Sequence, residues 1–213
     1  MMIRALVLSA FVFSSGIIVQ ATENVTGWWL GTFSKKEITS DVSGWMETQV
    51  RYSFEDGNTN QILYRTGLLY KVSDHELGLL YGVIQTGGSL EHRATLQDSS
   101  KITSFGDSII SYRARLEGRF FRDNDNDSYR ARFLIRYNNP INDIYSISVW
   151  NESFVNLSDE KDRGQDAYER NRFFIGFGAK VFKIKTSFGY LNQYVPREGG
   201  DTSEHLLVTY WNF

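Results

Sequence analysis

The residues with the greatest capacity for chemistry are arginines set two apart. In Ser108–Asn138, SIISYRARLEGRFFRDNDNDSYRARFLIRYN, positions Arg113, Arg115, Glu117 and Arg119 share one parity. Beyond the polar tip Asp123–Asp127, Arg130, Arg132 and Arg136 do the same. The alternation elsewhere adds Arg51, Arg65, Arg93, Arg170 and Arg172 as donors and Glu47, Glu91 and Glu152 as acidic partners. Eleven guanidinium groups against four carboxylates leave the set positive after pairing. Two outcomes follow from such a set on one face of a sheet. It forms a salt-bridged plug in a narrow interior, or it lines a basic pocket or path that draws in an anion.

Other chemistries have weaker support. Acyl hydrolysis or transfer needs a histidine beside a serine, and the chain has only His75, His92 and His205. His75 falls in an expected turn. His92 lies between Glu91 and Arg93 on the weakest strand, and His205 follows Ser203-Glu204 at the top of the last one. None stands in a serine-containing motif, so no catalytic residue is named and enzymatic activity stays open. Asp123, Asp125 and Asp127 resemble the start of a calcium loop, but Ser128 stands where glycine is required and Leu134 where the bidentate Glu belongs. An Asn/Asp-rich turn accounts for the segment. No cofactor or metal site is expected.

A period of two means strands, because successive side chains point to opposite faces. Between the arginines sit Tyr112, Ala114, Leu116, Gly118 and Phe120, then Tyr129, Ala131, Phe133, Ile135 and Tyr137. A water-soluble sandwich would mix Lys, Glu, Ser and Thr on its wet face. A polar face dominated by arginine, opposite an apolar face with aromatics near the strand ends, suits a barrel with lipid outside and charge inside. Alternation repeats over 44–54, 61–72, 76–85, 90–97, 144–156, 170–180, 184–195 and 204–213, with turn signals such as Asp56-Gly57-Asn58 between them. The expected fold is all-β: a single antiparallel transmembrane barrel of about ten strands, since closure in bacterial barrels takes an even number. Val25–Ser34 makes an awkward eleventh segment. Either it lies outside the closed sheet, or the irregular 98–107 stretch hides another strand and the total is twelve. The connections near 55–60, 86–89, 122–128, 157–168 and 196–202 fall on one side, expected to be extracellular. Those near 73–75, 98–107, 139–143 and 182–183 fall on the other.

The compartment is set by the first residues. Met1 to Arg4 supply a positive start, Ala5 to Val19 are largely apolar, and Val19-Gln20-Ala21 is a small-residue cleavage pattern. This reads as a secretory signal peptide over residues 1–21, with the barrel domain over 22–213. A net charge of −2 argues against a nucleic-acid partner. With no cysteine there are no disulfides, so the sheet must hold itself by closure.

Several blocks together resemble one family: WMETQVRY, YRTGLLYKVS, YRARLEGRF with its RxRxE pattern, YRARFLIRYNNPI, VWNESFVN with its NE pair, ERNRFFIGFG and GYLNQYV. The family is one of uncharacterised bacterial outer-membrane barrels, catalogued as a domain of unknown function. The resemblance runs from about Trp28 to Phe213. It implies a fold and a membrane but no activity. Trp211 and Phe213 resemble the C-terminal signal read by the barrel-assembly machinery. The expected partners are therefore that machinery, outer-membrane lipid and lipopolysaccharide, with oligomeric state left open. The expected role is structural or narrow anion passage. A lipid-modifying enzyme and a periplasmic ligand-binding barrel are the alternatives.

Overall fold

The computed structural model describes residues 23–122, 127–158, 167–182, 184–197 and 200–213. The expected signal peptide, most of the Asp123–Asp127 tip and most of the 157–168 loop lie outside them. Eleven strands account for nearly all the described residues: β1 (Glu23–Glu37), β2 (Val42–Ser53), β3 (Asn58–Val72), β4 (His75–Thr86), β5 (Ser89–Phe105), β6 (Ser108–Phe121), β7 (Ser128–Pro140), β8 (Tyr145–Asn156), β9 (Tyr168–Val181), β10 (Ile184–Val195) and β11 (Thr202–Asn212). Each pairs with its neighbours in chain order, and the sheet closes into a barrel where β1 meets β11.

The count falls between the ten and twelve expected, and the first segment is the reason. A closed sheet in which every neighbour is antiparallel must have an even number of strands. An odd number needs one parallel pair. Here β1 is that strand: it is antiparallel to β2 and runs parallel to β11, from Glu23 opposite Thr202 to Phe33 opposite Asn212. Val25–Ser34 therefore lies neither outside the sheet nor in a twelve-stranded one. It supplies the closing seam. The stretch 98–107 is not an irregular connection either. β5 continues through it to Phe105, skipping one residue at Ile102, and turns at Gly106. Ser34–Glu37 likewise extends β1 beyond the expected loop boundary.

Tight turns keep the hairpins in register. Gly87 and Gly106 both adopt φ of 57°, the left-handed region that a two-residue hairpin turn demands. At the seam, Glu55 in the β2–β3 turn accepts hydrogen bonds from Thr26 Oγ1 (2.7 Å) and Thr26 N (2.6 Å), and from Ser53 Oγ (3.1 Å). The Thr26 donors, side chain before backbone, hold its carboxyl below the usual carboxylate range. A depressed folded pKa means that this latch is formed above that range and is lost as pH falls through the folded value.

The two faces differ sharply. Met46 and Leu79, on the outer face, are each 65% exposed, whereas Leu191 and Val208, on the inner face, are at 0%. The seam itself has no room to spare. A Cβ at Gly27 would run into the carbonyl oxygen of Tyr52 on β2 and crowd Leu206 on β11. Gly27→Val is therefore expected to push β1 off both neighbours, destabilising the barrel by about 1–3 kcal/mol as overpacking does. Gly88→Val, where nothing lies within 4 Å, should leave the thermal unfolding temperature unchanged. Equal unfolding temperatures for the two variants would show that the seam is not a required closure.

Candidate functional site

The inner face carries the arginines, and their positions follow from strand parity. Of the residues expected to line the lumen, Glu47, Arg51, Arg65, Glu91, Arg93, Arg113, Arg115, Arg119, Arg130, Arg132, Arg136, Glu152, Arg170 and Arg172 all border one cavity of about 1080 Å³. Glu117 does not. Its side chain has 0% exposure and is sealed beneath the guanidinium groups that surround it. The cavity is lined by residues near both mouths, such as Asp56 and Ser89 at one and Asp107 and Lys185 at the other.

Glu117 on β6 is the hub. It accepts from Arg130 Nε at 3.0 Å and Arg132 Nη1 at 2.7 Å, both from β7. Arg65 on β3 and Arg93 on β5 approach to 3.7 and 3.9 Å. Arg132 reaches on to Glu152 (2.8 Å), which also holds Arg113 at 3.0 Å and stands 3.7 Å from Arg172. Arg65 also binds Glu47 at 2.8 Å, and Glu91 gathers Arg93 (2.6 Å) and Arg119 (3.1 Å). Most of these pairs join neighbouring strands, while Arg65–Glu117 (β3 to β6) and Arg113–Glu152 (β6 to β8) reach across the interior. At one mouth Lys35 on β1 pairs with Glu76 on β4.

Two further acidic groups face inward, and the first of them escapes the alternation. Glu169 is 3% exposed and accepts from Arg130 Nη1 at 2.8 Å, and Arg170 also pairs with it. It turns inward beside Arg170, its own chain neighbour, because the β8–β9 register skips it between Phe154 and Val155. Such a bulge lets two consecutive residues share a face, which a strict period of two cannot reveal. Glu204 on β11 also lines the cavity. Between the mouths, six carboxylates therefore face the eleven guanidinium groups, where four were expected.

Four cations are matched less closely. Arg51 and Arg136 make no ion pair among the described residues, and Arg115 and Arg172 donate to the amide oxygens of Gln97 (2.8 Å) and Gln193 (2.6 Å). Aromatic faces take part of their place. Arg51 lies 3.8 Å over Trp29, and Arg132 and Arg172 each lie 4.5 Å from the centre of Phe154. Guanidinium stacking of this kind is worth about 0.5–2 kcal/mol, most when desolvated.

The opposite side of the lumen is apolar, a feature that the arginine ladder did not announce. Trp29, Leu134, Trp150, Phe174, Leu191, Leu206 and Val208 form one buried cluster with Tyr210 against it. Trp150 stacks on Phe174 at 5.1 Å. Among the inward positions of β10 and β11 no arginine occurs. The lumen is thus divided: the charged groups reach from β2 to β9, and the aromatic and aliphatic cluster is drawn from β1 and from β7 to β11.

The histidines face outward. His75 contacts Asp98 Oδ1 (3.0 Å) and Tyr112 Oη (3.2 Å), His92 bonds Tyr81 Oη at 2.5 Å and His205 bonds Tyr190 Oη at 2.5 Å. Among the described residues none is hydrogen-bonded to a serine. Among the described residues no group of three or more His, Asp and Glu side chains could hold a metal ion, and Asp123 and Asp125 lie outside those residues. Trp211 sits on the outer parity of β11, opposite Thr32 and Thr186, and the Phe213 amide donates to Phe33 O at 2.9 Å.

A closed all-β barrel with an ion-paired, basic lumen is the class that this geometry defines. The chain belongs to the family described as "Protein of unknown function (DUF2490)", whose match spans residues 26–204. No curated protein and no solved structure matches it.

Removing one charge tests the hub. Glu117→Gln leaves Arg65, Arg93, Arg130 and Arg132 facing one another, and breaking a buried pair in this way typically costs about 3–5 kcal/mol. The unfolding temperature in a gel-shift assay should fall clearly, with Glu204→Gln falling less. A Glu117→Gln barrel as stable as the parent would mean that water, not the carboxylate, screens these cations.

Proposed function

We propose that the protein is a bacterial outer-membrane β-barrel, exported with a cleaved signal peptide, that admits small anions into its basic lumen beside an ion-paired structural wall. The observation that carries this reading is the contrast between the two faces of one sheet. Between the rims, the outward positions of all eleven strands carry no Lys, Arg or Glu. The one acid there, Asp98, lies near a rim and is held by Tyr112 Oη at 2.6 Å and by His75. Outward amides satisfy each other: Asn151 and Asn171 exchange hydrogen bonds of 2.9 and 3.1 Å. Polar groups that face hydrocarbon need internal partners of this kind. Tyrosine–histidine pairs stand near both ends of the barrel, where aromatic girdles meet lipid headgroups. In this reading the outer wall meets outer-membrane lipid and lipopolysaccharide, and Trp211 and Phe213 are read by the barrel-assembly machinery.

Anion admission follows from the lumen. The cavity borders Arg51, Arg115 and Arg136, none of which makes an ion pair among the described residues, so its field is positive. The Glu117 network fills the other part and gives the wall its rigidity. A lipid-modifying enzyme is favoured less, since each histidine bonds a tyrosine on the outer face. A periplasmic ligand-binding barrel would need a polar exterior.

Reconstitution in planar bilayers under a potassium chloride gradient should give a reversal potential of anion-preferring sign. Arg115→Ala and Arg136→Ala should each roughly halve the chloride-to-potassium permeability ratio. A barrel that folds but passes no anion would overturn the passage reading. Placement is tested separately with a membrane-impermeant thiol reagent on whole cells. It should reach Gly88→Cys and miss Asp74→Cys; the reverse pattern would invert the barrel, and failure to fractionate with the outer membrane would remove it from there.

A further inference from the structure

We propose that the lumen holds a binding site for an organic monocarboxylate with a flat apolar body, seated between Trp29, Arg51, Arg172 and Gln193. This rests on the reading that the lumen admits anions, and it names which anion the site selects. The four residues come from β1, β2, β9 and β10, and all line the same cavity. Their donors outnumber their acceptors. Trp29 Nε1 and Gln193 Nε2, in residues only 3% and 1% exposed, are buried with no hydrogen-bond partner among the described residues. Buried donors of that kind are rare because an unmade hydrogen bond forfeits the full desolvation cost of the group. Arg51 Nε is buried and unpartnered too.

Local geometry keeps these donors available. Arg172 gives its Nε to Gln193 Oε1 at 2.6 Å, which occupies the amide oxygen and leaves the amide N–H groups as donors. Arg51 and Arg172 both pack on Trp29, at 3.8 and 4.9 Å from its ring centre, so the indole gathers the two guanidinium groups. An acceptor-only group with two oxygens matches this set, and guanidinium recognises carboxylate through paired N–H donors. Glu152, shared with Arg113 and Arg132, stands 3.7 Å from Arg172, and Glu204 also lines the cavity, whereas Arg51 makes no ion pair among the described residues. That leaves room for a monoanion rather than a dianion.

The apolar part of the ligand is read from the adjoining wall. Tyr210 stands edge-on to Trp29 at 6.2 Å and tilted to Phe174 at 6.2 Å, and Phe174 stacks on Trp150. A chloride or phosphate ion would make no use of that wall. A ring or short hydrocarbon joined to a carboxylate would place its head on the arginines and its body on the aromatics.

The test uses the full barrel in lipid nanodiscs, with binding followed by tryptophan fluorescence and by calorimetry. The probes are benzoate, acetate, inorganic phosphate and benzyl alcohol. Benzoate should bind at least about tenfold more tightly than acetate or phosphate, and benzyl alcohol should not compete. Arg51→Gln should weaken benzoate by about tenfold or more. Gln193→Glu, nearly isosteric, hands Arg172 an internal carboxylate and should abolish benzoate binding at an unchanged melting temperature; it keeps the test decisive if Arg51→Gln fails to fold. Equal affinity for benzoate, acetate and phosphate, or benzoate binding untouched by Gln193→Glu, would overturn the monocarboxylate site while anion admission stood on its bilayer currents. Loss of both binding and anion-preferring current would bring down the two readings together.

Discussion

A carboxylate with no exposed side-chain surface, ringed by four arginines, cannot exist on a flat sheet in water or in lipid. Glu117 needs guanidinium groups from β3, β5 and β7 to converge on β6, and only a sheet curled onto itself brings them together. Taking such charges out of water is costly, and a buried pair is held only where geometry and further hydrogen bonds compensate. The compensation here is shared: Arg132 bridges Glu117 and Glu152, and Arg130 bridges Glu117 and Glu169. Each bridge ties one more strand into the wall. The network therefore acts as internal bracing for a chain that has no cysteine to staple it.

The rest of the lumen is held differently. The seam half of the lumen is packed from Trp29, Trp150, Phe174 and their aliphatic neighbours, which interact through area rather than through charge. Arginines at the border, such as Arg172 over both Trp29 and Phe154, belong to both halves. The division gives the cavity an amphipathic character that neither an all-ionic plug nor an apolar calyx would have.

Much of this was legible in the sequence. A period of two in YRARLEGRF and YRARFLIRY assigned every arginine to one face, because parity within a strand needs only local geometry. What stayed hidden depended on departures from it. Glu169 turns inward only because the β8–β9 pairing skips it, and Ile102 is skipped in the same way, which made 98–107 look like a loop. The place of β1 was hidden for another reason: parallel or antiparallel closure is decided by which edge the strand meets, and no residue in Val25–Ser34 encodes that alone. The aromatic wall was visible as single residues, but its contiguity comes from strands as distant in sequence as β1 and β11.

The parallel seam also decides where the chain begins and ends. In an even barrel the two termini emerge at the same mouth and a short linker could join them. Here β1 and β11 run side by side in the same direction over eleven residue pairs, roughly 33 Å of strand at about 3.3 Å per residue. Glu23 thus lies at the mouth of the β10–β11 loop, and Phe213 lies at the opposite one. The fold is a thread drawn through its own wall. Glu23 and Phe213 are held apart by the full length of the seam.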